Sequence, residues 1–218
     1  MTHEELEYRQ KYSWLPTEQD ELLQYLEDNL RLDMHKIAQE EERIKSIPWE
    51  EIEIRASIVP KGTPRPRTSS VTGRFYVKGA KKTHKYFERI IQEKKIICTR
   101  VEYTLTIYIP TPSSMTNTEK YLAEKGVIWP TNTPDWDNIA KTYTDCLQGV
   151  LLLNDNIVNP GHVYRYWSIR PRIVINLRYQ TQFESNYHRR KAENSVAYKQ
   201  YEDSGYQYTD GVFILGGE

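Results

Sequence analysis

Cysteine is scarce in this 218-residue chain. Cys98 and Cys146 are the only two, with no CxxC pair, which excludes a disulfide framework and a cysteine-built zinc site. Long apolar runs are missing as well: none approaches the roughly 20 residues needed to cross a bilayer. The first ten residues, MTHEELEYRQ, are acidic where a secretory leader is basic and then apolar. We therefore expect a protein of a reducing cytoplasm with no membrane partner. Net charge is lacking too, 30 Lys and Arg standing against 30 Asp and Glu, which taken alone argues against a nucleic-acid partner. The length allows one core with appendages rather than two full cores. With 38% hydrophobic residues, 17 Tyr and 5 Trp, there is enough apolar surface for that core.

The zero charge is an average over a divided chain. Residues 1–56 hold 7 Lys and Arg against 15 Asp and Glu, whereas residues 61–100 hold 12 against 2. A basic face follows, and it fits either a nucleic-acid surface or a solvated face that pairs with the acidic segment.

Periodicity divides the chain into three parts. In residues 1–50, Leu22, Leu23, Leu26, Leu30, Met34 and Ile37 recur at helical spacing after Thr17, predicting one long acidic helix to about Ser46, capped by Thr17 and stopped before Pro48. Residues 51–180 predict an α+β core with a mixed or antiparallel sheet. Its strands are expected over 52–60, 73–77, 100–109, 150–153, 161–169 and 172–179. Its helices are expected over about 80–98, 119–125 and 135–147. The basic loop PKGTPRPR follows the first strand, because Pro64 and Pro66 cannot continue a ladder. Residues 181–218 read as a polar, mobile tail with a helix near 186–202.

The densest chemistry lies in TPDWDNIAKTYTDCLQGVLLLNDNIV, which places Asp135, Asp137, Lys141, Asp145 and Asp155 within 21 residues. On a helix from Asp135, residues 137, 141 and 145 are successive i,i+4 neighbours and share one face. That spacing also suits an ordinary helix, with Asp135 as cap, Asp137 at the positive end and Lys141–Asp145 as an exposed pair. Alternatively, Asp135, Asp137 and Asp155 converge on Mg²⁺, a hard ion that prefers oxygen ligands and is completed by substrate phosphate. Lys141 would then stabilise developing negative charge. Arg65, Arg67, Lys78, Lys81, Lys82 and Lys85 suit phosphate contacts. Tyr76, Trp136 and Trp167 suit either base stacking or the core.

These residues resemble the RusA-like family of Holliday junction resolvases. The family pattern appears as Asp135-Trp136-Asp137-Asn138, Lys141, Asp145-Cys146-Leu147 and Asp155 with Val158. A second feature appears as Pro60-Lys61-Gly62, Pro64-Arg65-Pro66-Arg67, Arg74 to Val77 and Lys81-Lys82-Thr83. The resemblance spans about residues 52–180. It implies a Mg²⁺-dependent (or Mn²⁺-dependent) endodeoxyribonuclease that binds four-way junction DNA as a homodimer, in the cytoplasm of a bacterium or of a virus within one. It implies Asp135, Asp137 and Asp155 as metal-binding and catalytic carboxylates, Lys141 as the functional lysine and Asp145 as a supporting group. Lys61, Arg65, Arg67, Arg74, Lys78, Lys81, Lys82 and Lys85 would touch DNA. The family usually carries two adjacent aspartates downstream, and here the first is Asn154, which keeps an acceptor oxygen but loses a charge. The alternatives are a junction-binding protein with a decayed metal site and a nuclease of the same fold acting on other branched DNA.

Overall fold

The computed structural model describes residues 2–62, 67–68, 75–76, 80–92, 95–131 and 134–215, with the side chains of 67, 68, 75, 76, 80 and 81 outside that description. The chain forms two compact units, Met1–Ser46 and Ile47–Glu218.

The first unit contains helices α1 (His3–Tyr12), α2 (Gln19–Asn29) and α3 (Met34–Lys45), in none of which any residue is buried. The single long helix expected from Thr17 to Ser46 is therefore corrected to two. The chain turns extended at Leu30, and the Asp33 side chain accepts from the Lys36 amide to begin α3. An aspartate that can bond a nearby backbone N–H favours a helix start over a helix interior. Glu18, not Thr17, occupies the α2 cap. Thr2 and Glu5 form a capping box on α1, a helix the apolar spacing did not indicate.

The second unit is built on a four-stranded sheet of β1 (Trp49–Ala56), β5 (Val101–Pro110), β6 (Val158–Ser168) and β7 (Arg172–Gln180) in the order β1-β7-β5-β6. β7 runs antiparallel to β1 and β5, while β5 and β6 are parallel, so the sheet is mixed as expected. Strict alternation buries Val101, Tyr103, Leu105, Ile107 and Ile109 of β5, and Ile173, Ile175, Leu177 and Tyr179 of β7. The parallel pair cannot be joined by a hairpin. Residues 111–157 make the crossover, which contains α5 (Asn117–Glu124) and α6 (Trp136–Leu147). α6 buries Ile139, Thr142, Tyr143, Cys146 and Leu147, a helical stripe that packs on the sheet core. α4 (Ala80–Ile90) packs against α6 through Phe87, whose ring centroid lies 5.9 Å from that of Tyr143. Two-residue strands β2 (Arg67–Thr68) and β3 (Phe75–Tyr76) pair with each other. No helix among the described residues is long and apolar enough to cross a membrane.

Three local expectations change. The helix expected to reach Cys98 ends at Ile90, and Lys95–Ile97 forms strand β4. The segment 150–153 is a turn with isolated bridges at Leu152 rather than a strand. Residues 181–215 are folded, not a mobile tail. They form α7 (Asn186–Glu193), α8 (Val196–Asp203) and the hairpin β8 (Tyr206–Thr209) and β9 (Val212–Leu215), with β9 pairing to β4. Tyr198 and Phe213 bury themselves with Ile96, Cys98 and Leu153 in a second core. The aromatic residues that look scattered in a polar sequence share this cluster.

Candidate active site

α6 presents two faces with opposite tasks. Its buried stripe anchors it, and the complementary face carries Asp137, Lys141 and Asp145 outward, all exposed. Asp135 occupies the N-cap position, yet its carboxylate makes no capping hydrogen bond. Asp135 therefore departs from the ordinary capping role and remains an exposed carboxylate at the positive end of the helix. Trp136, between the two acids, is 55% exposed, whereas Trp167 is buried and belongs to the core.

The loop after β1 is locked onto this helix. The Tyr143 hydroxyl accepts a hydrogen bond from the Lys61 amide at 3.0 Å and donates to the Lys61 carbonyl at 3.2 Å. Burial holds the Tyr143 phenol protonated, with its pKa pushed up to about 12, so the donor persists at any physiological pH. Gly62 lies so close to α6 that a Cβ there would sit 2.6 Å from Asn138 Nδ2 and 3.1 Å from Pro134 Cβ. Lys61 is thereby fixed beside the first turn of α6 with its side chain exposed.

Arg165, on β6, holds the other approach to α6. Its guanidinium donates to the Pro134 carbonyl at 2.7 Å and to the Pro130 carbonyl at 3.2 Å. The sequence reading passed over Arg165, although it shares an alternating register with Val163 and Trp167, where a charge needs a partner. Helical periodicity assigns Tyr143 to the apolar stripe and carries no signal for its hydroxyl.

Asp155 begins a short 3-10 turn, Asp155–Ile157, whose cap is Asn154. The Asn154 Oδ1 accepts from the Asn156 amide at 3.2 Å. The Asp155 turn sits near the C-terminal half of α6. The Asp145 carboxyl is held above its ordinary pKa chiefly by partial burial; Lys141 draws it down, and Asp155 pushes it up. The structure thus brings Lys141 and Asp155 each into electrostatic range of Asp145. Among the described residues no three His, Cys, Asp or Glu side chains stand together as a group placed to hold a metal ion. The donor chemistry nevertheless fits a hard cation. The carboxylates are exposed, and Mg²⁺ is commonly held by one or two of them, with water and substrate phosphate completing the shell.

Of the basic residues, Lys82 and Lys85 stand exposed on α4, on the side away from Phe87. Arg65, Arg74 and Lys78 lie outside the described residues, as do the side chains of Arg67, Tyr76 and Lys81.

Comparison with known proteins gives two findings. The family described as Endodeoxyribonuclease RusA matches residues 57–178. A Bacillus subtilis (strain 168) protein described as "Uncharacterized protein YqaN" is 30% identical over 128 residues, covering 55% of this chain and 89% of that protein. The matched segment contains β5, α5, α6, the Asp155 turn and β6, which are the elements that carry the site.

Proposed function

Because the chain belongs to the RusA family of endodeoxyribonucleases, we propose that it is a divalent-metal-dependent nuclease that resolves four-way DNA junctions by phosphodiester hydrolysis, acting as a homodimer. An isologous pair of sites matches the two-fold symmetry of a junction and would cut two strands symmetrically. The observation that carries the reading is the clamping of Lys61 and Gly62 against Tyr143 and Asn138, which holds Lys61 beside the acidic first turn of α6.

In this reading Asp135, Asp137 and Asp155 hold Mg²⁺ or Mn²⁺, and Asp145 and Asn154 support them. The bound ion supplies charge neutralisation at the scissile phosphate and acidifies a water molecule. The chain's own residues do the remaining work. Lys61, Arg65, Arg67, Arg74, Lys78, Lys81, Lys82 and Lys85 neutralise backbone phosphates and position the DNA without reading its sequence. Lys141 faces the developing charge on the leaving or attacked oxygen. Trp136, exposed between two carboxylates, offers a ring to an unpaired base.

The experiment is cleavage of a labelled four-way junction with and without Mg²⁺ by wild type, Asp137→Asn and Lys141→Ala. Symmetric nicks that require the cation, abolished by Asp137→Asn with junction binding kept, support the reading. A loss of roughly 100-fold in Lys141→Ala supports a charge-stabilising role. Near wild-type cutting by Asp137→Asn would refute the metal assignment. One observation favours a second reading, a junction-binding protein without turnover: Asn154 stands where the family usually carries an aspartate beside Asp155. A band shift with no product at any Mg²⁺ concentration would select it.

A further inference from the structure

The C-terminal helix α7 lies outside the segment that matches the family, yet it lines, together with Asn154, Asn156 and Ile157 around the Asp155 turn, a cavity of about 330 Å³. Asn154 and Asn156 are the two neighbours of Asp155; Arg100 lines the cavity with them, as do Tyr187, His188 and Lys191 of α7. That volume falls at the lower end of the range for small-ligand sites.

The lining has a distinct chemistry. Tyr187 is 60% exposed and presents a ring. Among the described residues, the side-chain polar atoms of Asn156 and Tyr187 make no hydrogen bond within the chain, so they are available to a ligand. Lys191 lies 5.8 Å from the centre of the Tyr187 ring, placing a cation beside a stacking surface. The acid in the cavity, Glu184, is engaged by Arg100 at 2.7 Å, so that pair adds little net charge. Lys191 lines the cavity, whereas Arg189 and Arg190 of the same helix do not, and Arg189 is paired with Glu193 at 2.8 Å. A ring for stacking, amides for base edges and an ammonium for a phosphate are together the requirements of a nucleotide.

We propose that this cavity receives one nucleotide of the DNA substrate, its base against Tyr187 and its phosphate at Lys191. The C-terminal helices thereby hold the strand one residue away from Asp155. The inference rests on the nuclease reading and adds a binding subsite that joins the edge of the nuclease core to helix α7 outside it. An unpaired base at a branch point is the least costly nucleotide to place there, since its stacking and pairing are already weakened.

The test uses full-length protein without divalent cation and junctions carrying 2-aminopurine at successive positions around the crossover. Wild type is expected to change the fluorescence at one position. Tyr187→Phe keeps that change, while Tyr187→Ala abolishes it and weakens junction binding by about 10-fold. Lys191→Ala should lower the salt slope of binding by about one charge. Unchanged fluorescence and affinity in Tyr187→Ala, from a wild type that cuts junctions in Mg²⁺, would overturn the cavity assignment and leave the nuclease reading standing. A wild type that neither binds nor cuts junctions would defeat both. Displacement of the fluorescent base by free deoxynucleoside monophosphate, with the DNA still bound, would reassign the cavity to a free nucleotide.

Discussion

The hydroxyl of Tyr143 bridges both backbone atoms of Lys61, accepting from its amide and donating to its carbonyl at 3.0 and 3.2 Å. One side chain of α6 thus holds the loop after β1 in place, across 82 residues of sequence. Tyr143→Phe keeps the ring packing against Phe87 and deletes both bonds. It is expected to cost about 1–3 kcal/mol in urea unfolding, since two partly buried backbone groups lose their partner. Junction affinity should fall with it, because Lys61 is no longer fixed. Unchanged stability and affinity would mean that the loop is held by other contacts.

Gly62 has no room for a side chain. A Cβ would approach Asn138 Nδ2 to 2.6 Å, Asn138 Cγ to 3.0 Å and Pro134 Cβ to 3.1 Å, so Gly62→Ala must turn the Asn138 side chain aside or shift the loop. The expected destabilisation is about 1–3 kcal/mol, as for overpacking elsewhere. Adding Asn138→Ala should recover part of it. A double-mutant cycle on the two positions measures the coupling, and strict additivity would contradict the contact.

The Asp145 carboxyl titrates above its ordinary value in the folded chain, chiefly because it is partly buried. A raised carboxyl pKa means that the folded state binds more protons than the unfolded one over the interval between the two values, so stability falls as pH rises through it. The penalty is absent below the ordinary value of 3.8 and persists at neutral pH. Asp145→Asn should therefore raise the Tm of metal-free protein at pH 7 by at most a few degrees and leave it unchanged at the acid end. A scan of Tm against pH for both proteins decides it; a lower Tm at pH 7 would make the attraction to Lys141 the dominant effect.

Asn154 caps the Asp155 turn by accepting from the Asn156 amide at 3.2 Å. An aspartate oxygen can accept that bond equally well, so Asn154→Asp should keep the turn and add a charge beside Asp155. The Mg²⁺ concentration for half-maximal junction cutting is expected to fall. A higher midpoint would mean that repulsion between adjacent carboxylates outweighs the added attraction for the cation.

The nuclease core was legible because its signals are local. The alternation of Val101 to Ile109, the stripe Ile139, Tyr143, Cys146 and Leu147, and the outward spacing of Asp137, Lys141 and Asp145 each follow from a period of 2 or 3.6 and need no knowledge of the partner surface. The break at Asp33 and the hairpin at Asp210-Gly211 were local too, and went unread. Asp210 and Gly211 take positive φ of 45° and 81° between YQYT and VFIL, a two-residue hairpin signal that an overall polar composition masked.

What only the tertiary structure decided is which distant groups meet. Nothing near Tyr143 in the chain says that its hydroxyl grips Lys61, and nothing near Arg165 says that it binds the carbonyls of Pro130 and Pro134. Residues 181–215 fold because Phe213 and Tyr198 find Ile96, Cys98 and Leu153, apolar surface from far earlier in the chain. Periodicity reports the face an element offers, while the surface that covers it is set by the path of the chain. The metal-ligand question divides the same way. The sequence determined that the carboxylates are there and how they are spaced along α6, whereas the position of the Asp155 turn, a product of packing, decided that Asp155 stands within electrostatic range of Asp145.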